Sequence, residues 1–88
     1  MKRYIVNCKN VTSREDFYDL LEKKLPLPDY FGRNLDALHD VLGGAGFTLE
    51  VRSFGILRQR LERFSCALER MLTETDEESL NFRAVIKE

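Results

Sequence analysis

Asp36, His39 and Asp40 stand three and four residues apart, the spacing that gathers side chains on one face of a helix. Two carboxylates and an imidazole could in principle carry hydrolytic or metal chemistry. Such a site needs more ligands or a nucleophile, and the chain offers one histidine and no second ligand cluster. The plainer alternative is a solvated helix face whose charges keep the protein in solution, with His39 a surface residue. Local energetics give no reason for the pairing, because like charges at (i, i+4) repel by about a few tenths of a kcal/mol.

The elements that must position these residues are legible around them. Pro26 and Pro28 fix their own φ and push the residues before them into extended conformations, so Leu25 to Asp29 is expected to be a stiff connector. Gly32 then permits a backbone angle that other residues take only at a cost. Asn34 is a good helix cap, and Asp36 in the first turn complements the positive end of the helix dipole. A helix is therefore expected from about Asn34, with Leu35, Leu38 and Leu42 as its buried stripe and Val41 at the margin.

Composition bounds the rest. Eighty-eight residues permit one domain, 1–88, with one modest core, and 43% hydrophobic with 33% charged residues is the composition of a globular chain. The N-terminal run Met1 to Asn7 is too short in apolar residues for a signal segment or a membrane span, so a cytoplasmic, membrane-free protein is expected. Cys8 and Cys66 have no metal-type spacing and are expected to be reduced, structural thiols. A net charge of −1 excludes the strongly basic balance of a general nucleic-acid binder. Charge is nonetheless segregated. Asp29, Asp36 and Asp40 against Arg33 leave −2 over residues 29–40 with His39 neutral, whereas Arg52, Arg58, Arg60, Arg63 and Arg70 make residues 52–70 basic. Those arginines leave open a weak nucleic-acid-binding alternative, although Glu62, Glu69 and Glu74 interleave with them and no aromatic stacking platform accompanies them.

Along the chain, Lys2 to Asn7 reads as a strand, and its continuous apolar run Tyr4-Ile5-Val6 predicts that it lies inside the sheet. Thr12 or Ser13 caps a first helix running to about Lys24, with Phe17, Leu20, Leu21 and Leu25 on its apolar face. After the Gly43 to Gly46 cluster, Phe47 to Val51 alternates as a strand with one exposed face. Ser53 is a candidate cap for a third helix carrying Phe54, Leu57 and Leu61. A fourth helix carries Phe64, Ala67, Leu68, Met71 and Leu72, and the pattern leaves the break between the two open. Asp76 to Ser79 reads as a polar connector and Phe82, Ala84, Val85 and Ile86 as a last strand. Three strands separated by helices predict an α/β fold with a small parallel sheet and right-handed crossovers.

Leu27-Pro28, Tyr30, Gly32, the run Asn34-Leu35-Asp36-Ala37-Leu38, then Asp40, Leu42 and Gly44 together resemble the barstar family of intracellular ribonuclease inhibitors. Leu49-Glu50, Arg52 and Phe54 extend the resemblance over most of the chain. It implies a compact α/β domain with a three-stranded parallel sheet and about four helices. It also implies a non-enzymatic protein without cofactor or metal, monomeric when free, that blocks a barnase-type microbial ribonuclease in a 1:1 complex through the 27–44 loop and helix. No direct contact with nucleic acid is implied. On this resemblance Asp40 matches the carboxylate that mimics a substrate phosphate, Asp36 a more peripheral acid, and Tyr30 an aromatic that packs on the enzyme's catalytic histidine. Asn34, Leu35 and Gly32 match positions along the docking edge, Gly44 closes the motif, and Glu74 aligns with a further acidic contact. The chain departs from the family's prototype at His39, which replaces Trp, at Arg33, which reverses an acidic position, and at Ala45, which replaces an aromatic. The Gly-rich connector is also shorter. An adaptor for a partner that is not a nuclease would use the same fold.

Overall fold

Each of the first two strands is followed by a helical layer that returns the chain to the next strand, so the strands all point the same way. The computed structural model describes residues 2–88, and Met1, which opens the N-terminal run, lies outside the described residues. Strand β1 (Lys2–Asn7) pairs in parallel with β2 (Phe47–Arg52), which pairs in parallel with β3 (Arg83–Ile86), giving the order β1-β2-β3. A short 3-10 turn (Cys8–Asn10) and helices α1 (Arg14–Lys24) and α2 (Leu35–Gly43) lie between β1 and β2. Helices α3 (Phe54–Arg60) and α4 (Glu62–Glu78) lie between β2 and β3. Both crossovers step in the same direction across the sheet, and crossovers of one hand then lay their helices on one face. The α/β class with a three-stranded parallel sheet and four helices is as the sequence implies.

The core sits between that face and the helices. Tyr4 and Val6 of β1, Leu49 and Val51 of β2, and Ala84 and Ile86 of β3 point toward Phe17 and Leu21 of α1, Leu38 and Leu42 of α2, and Leu68 and Leu72 of α4. Aromatic edges knit it together. Phe17 meets Phe64 at 5.4 Å, and Phe47 lies between Tyr4 at 4.9 Å and Phe82 at 6.0 Å, all in T-shaped arrangements. The chain reaches full burial at Phe82, one residue before β3 begins.

Four local expectations are corrected. β1 is an edge strand and β2 the central one, so Ile5 is 40% exposed on the face away from the helices. An apolar run of three reported strand character but not strand position. On that same outer face Glu50, read as solvent-facing, is sealed: Arg3 Nε donates to its Oε1 at 2.9 Å, and Arg52 pairs with its other oxygen. Ser53 does not cap α3 with its side chain; it adopts a left-handed conformation (φ 60°), and the first helical N–H, that of Phe54, donates to the carbonyl of Lys87 at 2.9 Å. Finally, α4 runs through Asp76–Glu78 where a connector was expected. Thr75 is buried, and the Asp76 carboxylate accepts the Ala84 N–H at 2.8 Å, so the helix end is fastened to β3.

Elsewhere the caps are as read. Ser13 Oγ accepts the Asp16 N–H at 3.1 Å and Asp16 reaches back to Thr12, so the hydrogen bonds from Thr12 hold its carboxyl below the usual range. Cys8 and Cys66 are free. Burial pushes the Cys8 thiol up to about 11, whereas Cys66 is exposed on α4 and is no part of the core.

Candidate partner-binding surface

The loop before α2 is built in alternation, one residue in and the next out. The Phe31 N–H donates to the Pro28 carbonyl at 3.0 Å, closing a turn whose tip is Tyr30. Tyr30 is 87% exposed, and Phe31 turns inward to meet Tyr18 of α1 at 6.0 Å. Gly32 does not take the unusual backbone angle expected of it; Arg33, the next residue, does, at φ 53°. A Cβ at 32 would stand 3.3 Å from Asn34 Nδ2 and 3.4 Å from Ala37 Cβ, a tight fit in which the Asn34 amide would have to give by a few tenths of an ångström. Asn34 caps α2 as expected, its Oδ1 accepting the Ala37 N–H at 2.8 Å and its Nδ2 donating to the Gly32 carbonyl at 3.1 Å.

With Leu38 and Leu42 fully buried, the helix is fixed in rotation, and Asp36 and Asp40 are left on its outer side. The Asp40 side chain is 87% exposed. Neither acid forms an ion pair with a lysine or arginine among the described residues. His39 is half-buried between two carboxylates, with Nδ1 3.9 Å from Asp40 Oδ1 and Nε2 3.9 Å from Glu78 Oε2 at the end of α4. Glu74 is exposed one turn before Glu78, so it lies on the same flank of α4. Asp40, His39 and Glu78 thus meet where α2 approaches the end of α4, with Glu74 one turn earlier on α4, while Asp36 lines the cleft that also holds Arg33 and Arg63.

The residues expected along the docking edge are close by but distinct in character. Leu35, half-buried, joins Asn34 and Asp36 on the rim of an open cleft of about 1110 Å³ whose far walls are Tyr18 of α1 and Arg63 and Phe64 of α4. Gly44 ends α2 with an ordinary backbone (φ −98°) and has no close neighbour where a Cβ would stand. Sequence reasoning missed Glu78 because it ended the fourth helix too soon. It also set Arg33 down as a charge opposing Asp36 and Asp40, whereas the side chain is directed onto α1 and pairs there with Asp19 and Glu22.

This arrangement presents charge. No group of three or more His, Cys, Asp or Glu side chains is placed to hold a metal ion among the described residues, and His39 has only Asp40 and Glu78 within ion-pairing range. The arginines of 52–70 are dispersed. Arg52 is bound to Glu50, Arg58 to Glu88, and Arg60 to the carbonyls of Lys9 and Val11 at 2.8 and 3.1 Å, which leaves Arg63 and Arg70, exposed two turns apart on α4 among Glu62, Glu69 and Glu74. No helix among the described residues is long and apolar enough to cross a membrane.

The fold is thus a small parallel α/β domain whose α2 presents Asp36 and Asp40 outward with no lysine or arginine ion pair among the described residues. The family model described as Barstar (barnase inhibitor) matches residues 1–87, and the chain belongs to that family. It is also 33% identical over 81 residues, 89% of each chain, to a Bacillus subtilis (strain 168) protein named "Putative ribonuclease inhibitor YrdF".

Proposed function

We propose that this protein inhibits a ribonuclease of the barnase type by occluding its active site with the 27–44 loop and α2, in a 1:1 complex formed by a monomer in the cytoplasm. The observation that carries the reading is the set of exposed carboxylates Asp36 and Asp40 on α2 and Glu74 and Glu78 on α4, none of which forms an ion pair with a lysine or arginine among the described residues. A ribonuclease active site binds phosphates and is therefore cationic, and a carboxylate held beforehand where a phosphate would lie exploits those groups with little ordering cost. Asp40 takes the central role and Asp36 a peripheral one. Tyr30, projecting from its turn, supplies an aromatic contact, and Asn34, Leu35 and Gly32 form the edge against which the enzyme's loops close. His39 lies at the rim, beside Asp40 and Glu78.

Inhibition by this route is stoichiometric and needs no chemistry from the inhibitor. Titrating the purified protein into barnase with a fluorogenic RNA substrate should abolish cleavage at one equivalent. Full cleavage at a large excess of the protein would refute the proposal for enzymes of that type.

A further inference from the structure

We infer that Arg33 is a positioning residue that holds the 27–34 loop and the start of α2 in their docking conformation by anchoring to the outer face of α1; this rests on the inhibitory reading of that surface. Its Nη2 donates to Asp19 Oδ1 at 2.8 Å and to the Glu15 carbonyl at 3.2 Å, and its Nη1 pairs with Glu22. Glu15, Asp19 and Glu22 fall at i, i+4 and i+7, so the three acceptors form one stripe along α1. The guanidinium carbon also lies 5.9 Å from the centre of the Tyr18 ring, the same ring that Phe31 meets at 6.0 Å. Two loop residues on either side of Gly32 therefore close on one aromatic of α1.

The backbone gives independent support. Arg33 holds a left-handed conformation (φ 53°) that is unfavourable for a residue with a Cβ and that glycine would adopt freely. An arginine there is held by what its side chain binds. The next residue, Asn34, is extended and caps α2 through the Ala37 N–H, so fixing Arg33 fixes the cap and with it the direction of the turn bearing Leu35 and Asp36. A single exposed ion pair contributes little, but a planar fork that engages three acceptors and an aromatic ring is the geometry in which arginine exceeds lysine. Because Asp19 and Glu22 neutralise it, the arginine does this without setting an unmatched positive charge beside Asp36 and Asp40.

Three variants isolate the device. Arg33→Gly removes the side chain and keeps the backbone angle easy, Arg33→Lys keeps the charge without the fork, and Asp19→Asn with Glu22→Gln removes the charged acceptors. Amide hydrogen exchange in the free protein should accelerate roughly three- to tenfold at Phe31, Ala37 and Leu38 in the first and third variants, with the lysine variant intermediate. Leu49 and Val51 in the central strand should exchange as in the parent. Association with barnase should slow by a comparable factor. Unchanged exchange at 31–38, or uniform acceleration that includes Leu49 and Val51, would overturn the inference. If the parent protein does not bind barnase, the ribonuclease reading falls, and the exchange pattern alone still decides whether Arg33 positions the loop.

Discussion

Two surfaces of this molecule carry carboxylates on regular structure, and they treat them in opposite ways. On the outer face of the sheet, Glu50 of β2 lies between Ile5 and Val85 across the strands, and Arg3 and Arg52 cover it until only 2% of its side chain is exposed. Hydrogen bonds from Arg52 first and Arg3 second hold its carboxyl down at about 2. On α2, Asp36 and Asp40 lie four residues apart with no cation between them, and Asp40 is almost wholly exposed. A carboxylate matched inside the fold contributes to folding. One left unmatched contributes to whatever later supplies the cation, and the difference predicts where each mutation will be felt.

Asp40→Ala should produce the largest effect, and on binding alone. Truncating one side of a buried interfacial charge pair typically costs about 2–5 kcal/mol or more, mostly in the off-rate. Thermal melting of the variant should match the parent or rise slightly, because the (i, i+4) repulsion with Asp36 is relieved. A large loss of folding stability with unchanged binding would break the comparison by making Asp40 a structural residue.

Glu50→Gln should do the reverse, lowering the melting temperature while leaving ribonuclease binding unchanged. The folded-state value of Glu50 lies below its ordinary 4.5, so its contribution is fully present above about pH 4.5 and is lost as pH falls through about 2. Melting curves across that window should therefore fall less steeply for the glutamine variant than for the parent. Parallel curves would mean that the Arg3–Glu50–Arg52 cluster is too well hydrated to matter. The smallest effect is expected for Asp36→Ala, which should mainly slow association and flatten its dependence on salt, as for a charge near the rim. An off-rate effect as large as that of Asp40 would move the centre of the interface toward the cleft beside Leu35.

The acidic helix face was legible because capping and periodicity are local: Asn34 starts α2, Leu38 and Leu42 set its rotation, and the polar positions follow. The sealed environment of Glu50 was not, since an alternating strand pattern assigns it to the open face and only the register brings Arg3 beside it from β1. Arg33 and Glu78 were missed for the same reason. Arg33 is explained by acceptors eleven and more residues earlier on α1, and Glu78 by a helix that persists through a polar stretch because Asp76 is tied to β3. Gly32 was singled out for a backbone angle that falls instead on Arg33, because a turn's composition does not say which of two neighbouring residues takes the left-handed conformation.

The central claim is that the unmatched carboxylates form the docking face and the matched one does not, and an amide protection footprint on complex formation with barnase tests it most directly. New protection is expected at residues 30–40 and around Glu74 and Glu78, with β1 and β3 unchanged. Protection confined to the sheet face around Arg3, Glu50 and Arg52, with residues 30–40 exchanging as in the free protein, would contradict it.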